Sequence, residues 1–457
     1  MGDINTKKLI GGSVVAAGGY GCVTRPVIGC KNVEDDVDTN KGLVSKIMLK
    51  KHAKKEMDIS IKFKKILSKL PDYKRYFIFP MGSCTPKNLT SEDKINFTLK
   101  CNTLLKKKFT VDNINSKLDS LKVIQMRDGG MDLDAFLRNT RIDLDIFGKV
   151  SNSLERLLAN AILPMNALNV YHLDLKASNM MIDDKYEIKI VDWGLSTVIT
   201  DFNVIPTAFR RPLHFNMPYS IIILNSDFLI FINNTLQKNP HITVETLIPK
   251  LISFYAKFSE TYGSGHEERI NDILHNLMNT KRYLHNEVIM RYIAEIIVEF
   301  REDDNTFNVT KYFKEVFLRN VDIWGFFHAY FPIMNLDTPR KQNYSQRAEN
   351  FISDRFRELY TLFLLKYNTK PIPVLEFRDW VLRMQQASKG TFSNVSSFSF
   401  ELESVVPLVG STELRLKTFN NIKNGNRKMK KGKGTKKKRM KRKSRTTDMS
   451  KTMKNTK

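Results

Sequence analysis

His172-Leu173-Asp174-Leu175-Lys176-Ala177-Ser178-Asn179, followed by Asp192-Trp193-Gly194 with the two leading aspartates 18 positions apart, is the stretch on which the reading of this chain turns. Between them, Met180 to Ile182 and Glu187 to Val191 read as two short strands joined by a turn at Asp183-Asp184. Phosphoryl transfer asks a protein for little covalent chemistry. It needs a carboxylate to accept a hydroxyl proton and oxygen ligands to hold a divalent cation on the phosphates. On that reading Asp174 orients the attacking hydroxyl, Lys176 offsets charge on the moving group, and Asn179 and Asp192 hold magnesium. A polar turn beside an unrelated strand-end aspartate has no need of Asp, Lys and Asn at offsets 0, +2 and +5 and a second Asp-x-Gly after a hairpin.

In this order the two motifs resemble the catalytic loop and metal-binding aspartate of eukaryotic-type protein kinases. The resemblance implies ATP and Mg2+ as cofactors, protein Ser/Thr hydroxyls as acceptors, and an α+β, bilobal fold. Such a fold has a small β-rich N-lobe with one key helix and a large, mainly helical C-lobe. Further parts of the pattern lie upstream. Ala16-Ala17-Gly18-Gly19-Tyr20-Gly21-Cys22-Val23 resembles the glycine-rich loop over the phosphates, which implies nucleotide contacts from Ala16, Gly18, Gly19, Gly21 and Val23, with Ala16 in a glycine's usual place. Leu43 to Met48 alternates as a strand, and Lys46 is implied as the phosphate lysine. Ile59, Phe63, Ile66, Leu67 and Leu70 recur at helical spacing, and Glu56 falls on their face as the carboxylate partner of Lys46. Val123 to Gly130 resembles the strand and hinge between lobes, with Ile124 as gatekeeper and backbone groups of Gln125 to Arg127 against adenine. Val321-Asp322-Ile323-Trp324-Gly325 resembles a buried helix whose aspartate holds the catalytic-loop backbone, a structural task.

Departures narrow the likeness. Leu173 stands where many kinases have an arginine that reads an activation-loop phosphate, so that switch is not expected here. Trp193 replaces phenylalanine, and Tyr219 a glutamate. The gap from Gly194 to Asp322 has room for a helical insertion near 225–310. With the Asn-, Lys- and Ile-rich composition and a basic tail, these features resemble the serine/threonine kinases of nucleocytoplasmic large DNA viruses. That implies the host cytoplasm or nucleus, or packaging in the virion. The expected division is 10–127 for the N-lobe with a polar insertion near 87–122, 128–370 for the C-lobe, 371–420 for an extension or appendix, and 421–457 for the tail.

Composition sets the outer limits. The chain has 457 residues, is 42% hydrophobic and 10% aromatic, and carries a net charge of +26, so it can bury a sizeable core and is no disordered or collagen-like polymer. From Lys423 to Lys457 there are 17 Lys/Arg and one acid, Asp448, so this run holds +16 of the total. It lacks apolar periodicity and reads as a disordered cationic arm able to bind nucleic acid or an acidic partner. A kinase-like scaffold that binds through this tail without transferring phosphate is the alternative reading. Cys22, Cys30, Cys84 and Cys101 sit at irregular spacings without a C-x-x-C, and read as reduced thiols. The most apolar run, Ile221 to Ile232, is short and broken by Asn225 and Asp227, so no transmembrane segment is expected.

Overall fold

The structure, a computed structural model, describes residues 13–18, 20–31, 42–140, 142–278, 285–334, 354 and 356–388. Gly19, residues 389–420 of the expected extension, and the basic run 421–457 lie outside the described residues. Five strands form one antiparallel sheet near the N-terminus: β1 (Ser13–Ala17), β2 (Gly21–Arg25), β3 (Leu43–Leu49), β4 (Pro80–Cys84) and β5 (Leu121–Arg127), in the order β1-β2-β3-β5-β4. β3 is apolar but for the adjacent Ser45 and Lys46 and is buried over most of its length, as an interior strand requires. The helix Lys50–Leu67 follows at once and buries Ala53, Ser60, Phe63 and Leu67, with Ile59 and Ile66, and Leu70 just past its end, partly buried. This is the apolar face expected from the spacing. Close packing fixes Gly21, because a Cβ there would lie 2.3 Å from Ile47 O.

The rest is mainly helical. A hairpin of β8 (Met180–Ile182) and β9 (Ile188–Ile190) joins β6 (Met131–Asp132), and β7 (Val170–Tyr171) pairs with β10 (Thr197–Val198). Helices Ser226–Lys238, Val244–Tyr262, Glu267–Met278 and His285–Glu299 fill the long segment before the helix Leu318–Phe327, which is buried along nearly all its length. An added Cβ on Gly325 would lie 2.8 Å from Leu175 O, so only glycine lets that helix approach the Asp174 loop so closely. The architecture, an antiparallel five-stranded sheet followed by a mainly helical remainder, is compatible with a kinase-like fold. Among the described residues, no helix is long and apolar enough to cross a membrane.

Two expectations are corrected. Tyr76 to Phe79, an apolar run that reads from its sequence as a short strand, is no strand of the sheet: Tyr73–Tyr76 is a helical turn, Phe77 makes an isolated bridge to Ile190, and the strand begins at Pro80. Its four side chains are all buried, so burial on every side imitates a strand's apolar run. The cysteines are not reduced thiols: Cys22 is joined to Cys101 and Cys30 to Cys84, across separations of 79 and 54 residues that sequence spacing cannot pair. The segment 87–122 is polar in composition yet has its own core, with Leu89, Phe97, Leu104, Phe109, Ile114 and Leu118 buried against β2 and β3 residues.

The helix Val374–Ser388 packs on the helix Leu144–Leu157, burying Phe377, and Arg378 Nε and Nη2 donate to Glu155 Oε1 at 2.9 and 2.5 Å. This stretch therefore belongs to the folded body. Phe377→Ala is expected to destabilise the whole unit by about 3–5 kcal/mol in a urea unfolding titration. A separate early transition with the main one unmoved would show an independent appendix.

Candidate active site

The Asp174 loop is hung from one buried carboxylate. Asp322, on the helix Leu318–Phe327, accepts from His172 N and Asn166 Nδ2 on Oδ2 at 2.9 and 3.0 Å, and from Leu173 N on Oδ1 at 3.0 Å. Burial pushes its pKa up, against the opposing pull of His172 and the two backbone N–H groups. Leu173 is buried at φ +61°, a left-handed conformation that a leucine holds only when its surroundings impose it. The His172 ring is fixed by a 3.0 Å contact of Nε2 with Val191 O, next to the start of the second motif.

Held this way, Asp174 receives four side-chain hydrogen bonds. Lys176 Nζ lies 3.1 and 3.0 Å from its two oxygens, Asn179 Nδ2 donates to Oδ2 at 2.8 Å, and Asn216 Nδ2 donates to Oδ1 at 2.9 Å. Burial alone would raise this carboxyl, but the Lys176 charge and the bonds from Lys176 and Asn216 outweigh it, so its pKa lies below the usual carboxylate value. It is therefore an anion at neutral pH. Asn179 Nδ2 also donates to Asp174 O at 2.8 Å, which leaves its amide oxygen without a hydrogen bond among the described residues.

Asp192 follows β9 in a left-handed conformation, exposed, with Oδ1 accepting Gly194 N at 3.3 Å. Val191 N donates to Asn179 O at 3.1 Å, which makes the two motifs neighbours. An exposed carboxylate and an amide oxygen with its nitrogen already occupied form the hard oxygen donor set that suits magnesium. Among the described residues no cluster of three or more His, Cys, Asp or Glu forms a metal site of another kind. Trp193 is buried, donates Nε1 to Ile78 O at 3.2 Å, and stacks on Phe63 and Phe79 with centroids 5.6 and 4.8 Å away. It thus packs against the helix bearing Glu56, as expected of a large apolar substitute.

In the sheet, Lys46 Nζ sits 2.9 and 2.8 Å from the two carboxylate oxygens of Glu56. The pair is partly buried. Strand register sets Ala16 opposite Val23, Val23 opposite Lys46, and Lys46 opposite Ile124, so four of the expected residues form one row across β1, β2, β3 and β5. A Cβ built on Gly18 would lie 3.4 Å from Lys46 Cε and 3.8 Å from Nζ, which puts the glycine-bearing turn directly beside that ammonium. Gln125 lies inside β5, paired with Ser45 on one side and Gly82 on the other, and Arg127 pairs with Leu43. The chain leaves the sheet only at Asp128, whose N–H is taken by Gly42 O at 2.8 Å.

Sequence reasoning missed Asn216, whose one signal was a lone amide between Phe215 and Met217. It also missed Arg211, which donates to Leu173 O at 3.4 Å, and the ring pair His214 and His266, with centroids 4.5 Å apart. Burial, with the nearby His214 and Lys176 charges, pushes His266 down to about 4, so it is neutral at pH 7.

Stretches of this chain are similar to protein kinases. It is 28% identical over 137 residues to mitogen-activated protein kinase kinase 2 of Arabidopsis thaliana, covering 30% of this chain and 36% of that protein. It is 32% identical over 81 residues to "Probable serine/threonine-protein kinase kinX" of Dictyostelium discoideum (18% and 7%), and 38% identical over 53 residues to serine/threonine-protein kinase GIN4 of Saccharomyces cerevisiae (12% and 5%). The matches thus span between 5 and 36% of these relatives' own length. No protein-family model matches the chain. The partial likenesses to serine/threonine kinases support a kinase-like function.

Because Asp174 titrates lower in the folded chain than in the unfolded one, it contributes stability that is fully present above the unfolded carboxylate value, near pH 4. That contribution is lost as pH falls through the folded value. The stability of the intact protein relative to Asp174→Asn is therefore expected to drop between pH 6 and pH 3 in parallel urea titrations. A difference that stays flat or grows on acidification would contradict the depressed carboxyl.

Proposed function

We propose that this chain is a Mg-ATP-dependent serine/threonine protein kinase, moving the γ-phosphate of ATP to Ser or Thr hydroxyls of other proteins. The observation that carries the reading is the Asp174 carboxylate with Lys176, Asn179 and Asn216 all donating to it. A purely structural aspartate has no use for an anion kept partly open on a loop beside a second, exposed carboxylate.

The chain's own residues then divide the work. Ala16, Val23, Lys46 and Ile124 offer one continuous face to a nucleotide, and Lys46, oriented by both oxygens of Glu56, meets its phosphates. Asn179 Oδ1 and the Asp192 carboxylate would hold magnesium, which when bound offsets phosphate charge. Asp174 accepts the hydrogen bond and then the proton of the acceptor hydroxyl, since it is already ionised and aimed by three side chains. Lys176 stays beside it to offset charge on the moving group. Lys176 two after Asp174 is also the serine/threonine pattern of the family it resembles. With Leu173 in the arginine position, loop placement rests on Asp322 and not on a phosphorylated segment. The departures favour a viral kinase, working in the host cytoplasm or nucleus or within the particle, and the run 423–457 would hold nucleic acid or an acidic partner by charge.

Transfer of labelled γ-phosphate from Mg-ATP to a generic Ser/Thr acceptor tests this. Asp174→Asn is expected to reduce transfer by about 10²–10⁴-fold with nucleotide binding retained, and Lys46→Met to abolish it by misplacing the phosphates. Nucleotide binding without any transfer by the intact protein would instead support the scaffold reading.

A further inference from the structure

Residues 87–122 reach back over the glycine-bearing turn. Val14 N donates to Ile95 O at 3.0 Å, Lys100 Nζ to Val15 O at 3.4 Å, and Thr103 Oγ1 to Gly18 O at 2.9 Å. Cys101 is bonded to Cys22, the residue after Gly21, with Cα atoms 5.4 Å apart. Phe97, Cys101 and Leu104 are buried in one apolar cluster with Val14, Cys22 and Ile47. The turn closes on itself through Gly18 N to Gly21 O at 2.8 Å, and its tip is held from the other direction by Tyr20 stacked on His52, centroids 4.7 Å apart. His52 belongs to the same helix as Glu56.

A glycine-rich turn loses much conformational freedom when it settles over a ligand, and a turn ordered beforehand avoids that loss at the moment of binding. Two β-strands alone leave such a turn free at its tip. Here a polar segment with no other visible task contributes backbone, side-chain, covalent and apolar contacts to β1, the turn and β2.

We infer that residues 87–122 are a built-in clamp that presets the glycine-bearing turn for a nucleoside triphosphate, with Thr103 as a positioning residue and Cys22–Cys101 as its covalent tie. The ligand's identity rests on the kinase reading; the clamp does not. Thr103 acts through the carbonyl of Gly18, to which its hydroxyl donates. Cys30–Cys84 supplies the comparison, because it joins β4 to the chain beyond β2 and makes no bond to the turn.

The test uses the full chain with Thr103→Val, Thr103→Ser, the pair Cys22→Ser with Cys101→Ser, and the pair Cys30→Ser with Cys84→Ser. Two quantities are read: the Kd for Mg-ATP, and amide exchange at Gly18 and Gly21. Thr103→Val is expected to weaken Mg-ATP by about fivefold, the loss of one hydrogen bond's worth of ordering, with Thr103→Ser restoring it. The Cys22/Cys101 pair is expected to weaken it by at least as much and to speed exchange at Gly18, while the Cys30/Cys84 pair stays within about twofold of the intact protein. Equal effects from both cysteine pairs, or unchanged affinity and exchange in folded Thr103→Val, would overturn the clamp. Should the intact protein bind no nucleotide, the kinase reading alone fails. Exchange at Gly18 then decides the clamp, faster exchange in Thr103→Val upholding it and unchanged exchange overturning it.

Discussion

The carboxylate of Asp322 is enclosed in the core, and three N–H donors converge on it. A buried charge of this kind is tolerable only when its lone pairs are occupied, and the donors here are the backbone of His172 and Leu173 and the amide of Asn166. That requirement bends the chain. Two successive N–H groups can point at one carboxylate only if the backbone turns sharply, which puts Leu173 in the left-handed region and swings Asp174 the other way. The leucine side chain makes the turn affordable by burying itself, and Gly325 lets the supporting helix come close enough for the carboxylate to reach. Asp174 is thus positioned by atoms that never meet a substrate.

A second constraint couples this loop to the sheet. Trp193 follows Asp192 directly, and its ring lies among Phe63, Phe77, Phe79 and His172. Phe63 is on the helix that carries Glu56, and His172 is on the loop that carries Asp174. A single aromatic side chain therefore packs against both halves of the site, and the indole N–H, bound to Ile78 O, fixes its orientation. Trp193 thus ties the helix that carries Glu56 to the segment that carries Asp192.

Much of this was legible in the residues. β3 shows as a short, mostly apolar run that ends where lysines open a helix, and Glu56 could be placed on the inward face of that helix from the spacing of Phe63 and Leu67. The hairpin between the motifs was equally plain, since Asp183-Asp184 breaks two apolar runs. What could not be read were interactions whose partners are distant in the chain. Cys22 and Cys101 are 79 residues apart, and nothing local marks either as paired. Asn216 looks like any loop amide until the fold brings it to Asp174. The apolar residues of 87–122 are scattered among lysines and asparagines at no single period, because they come from short turns and not from one helix or strand, so the small core they form does not show in the sequence. Tyr76 to Phe79 failed for the opposite reason, its burial being too complete to show a period.

The departures from the kinase pattern follow one physical logic. Where a charged group is replaced, the structure shows apolar or aromatic packing in its position. Tyr219 is fully buried, its hydroxyl bonded to that of Tyr360 and its ring against Tyr292 and Trp324. Leu173 is buried where an arginine would carry charge, and Arg211 approaches its carbonyl from another segment. Buried ion pairs set geometry but contribute little net stability, whereas well-packed side chains of similar volume often hold a fold as well or better. Tyr292 comes from the long helical segment before Asp322, and the same segment delivers His266 to the ring of His214. These helices are thus not a surface appendage. Through Tyr292 they supply a packing partner for Tyr219, which stands where the pattern this chain resembles has a glutamate, while Asp174, Lys176, Asn179 and Asp192 match that pattern.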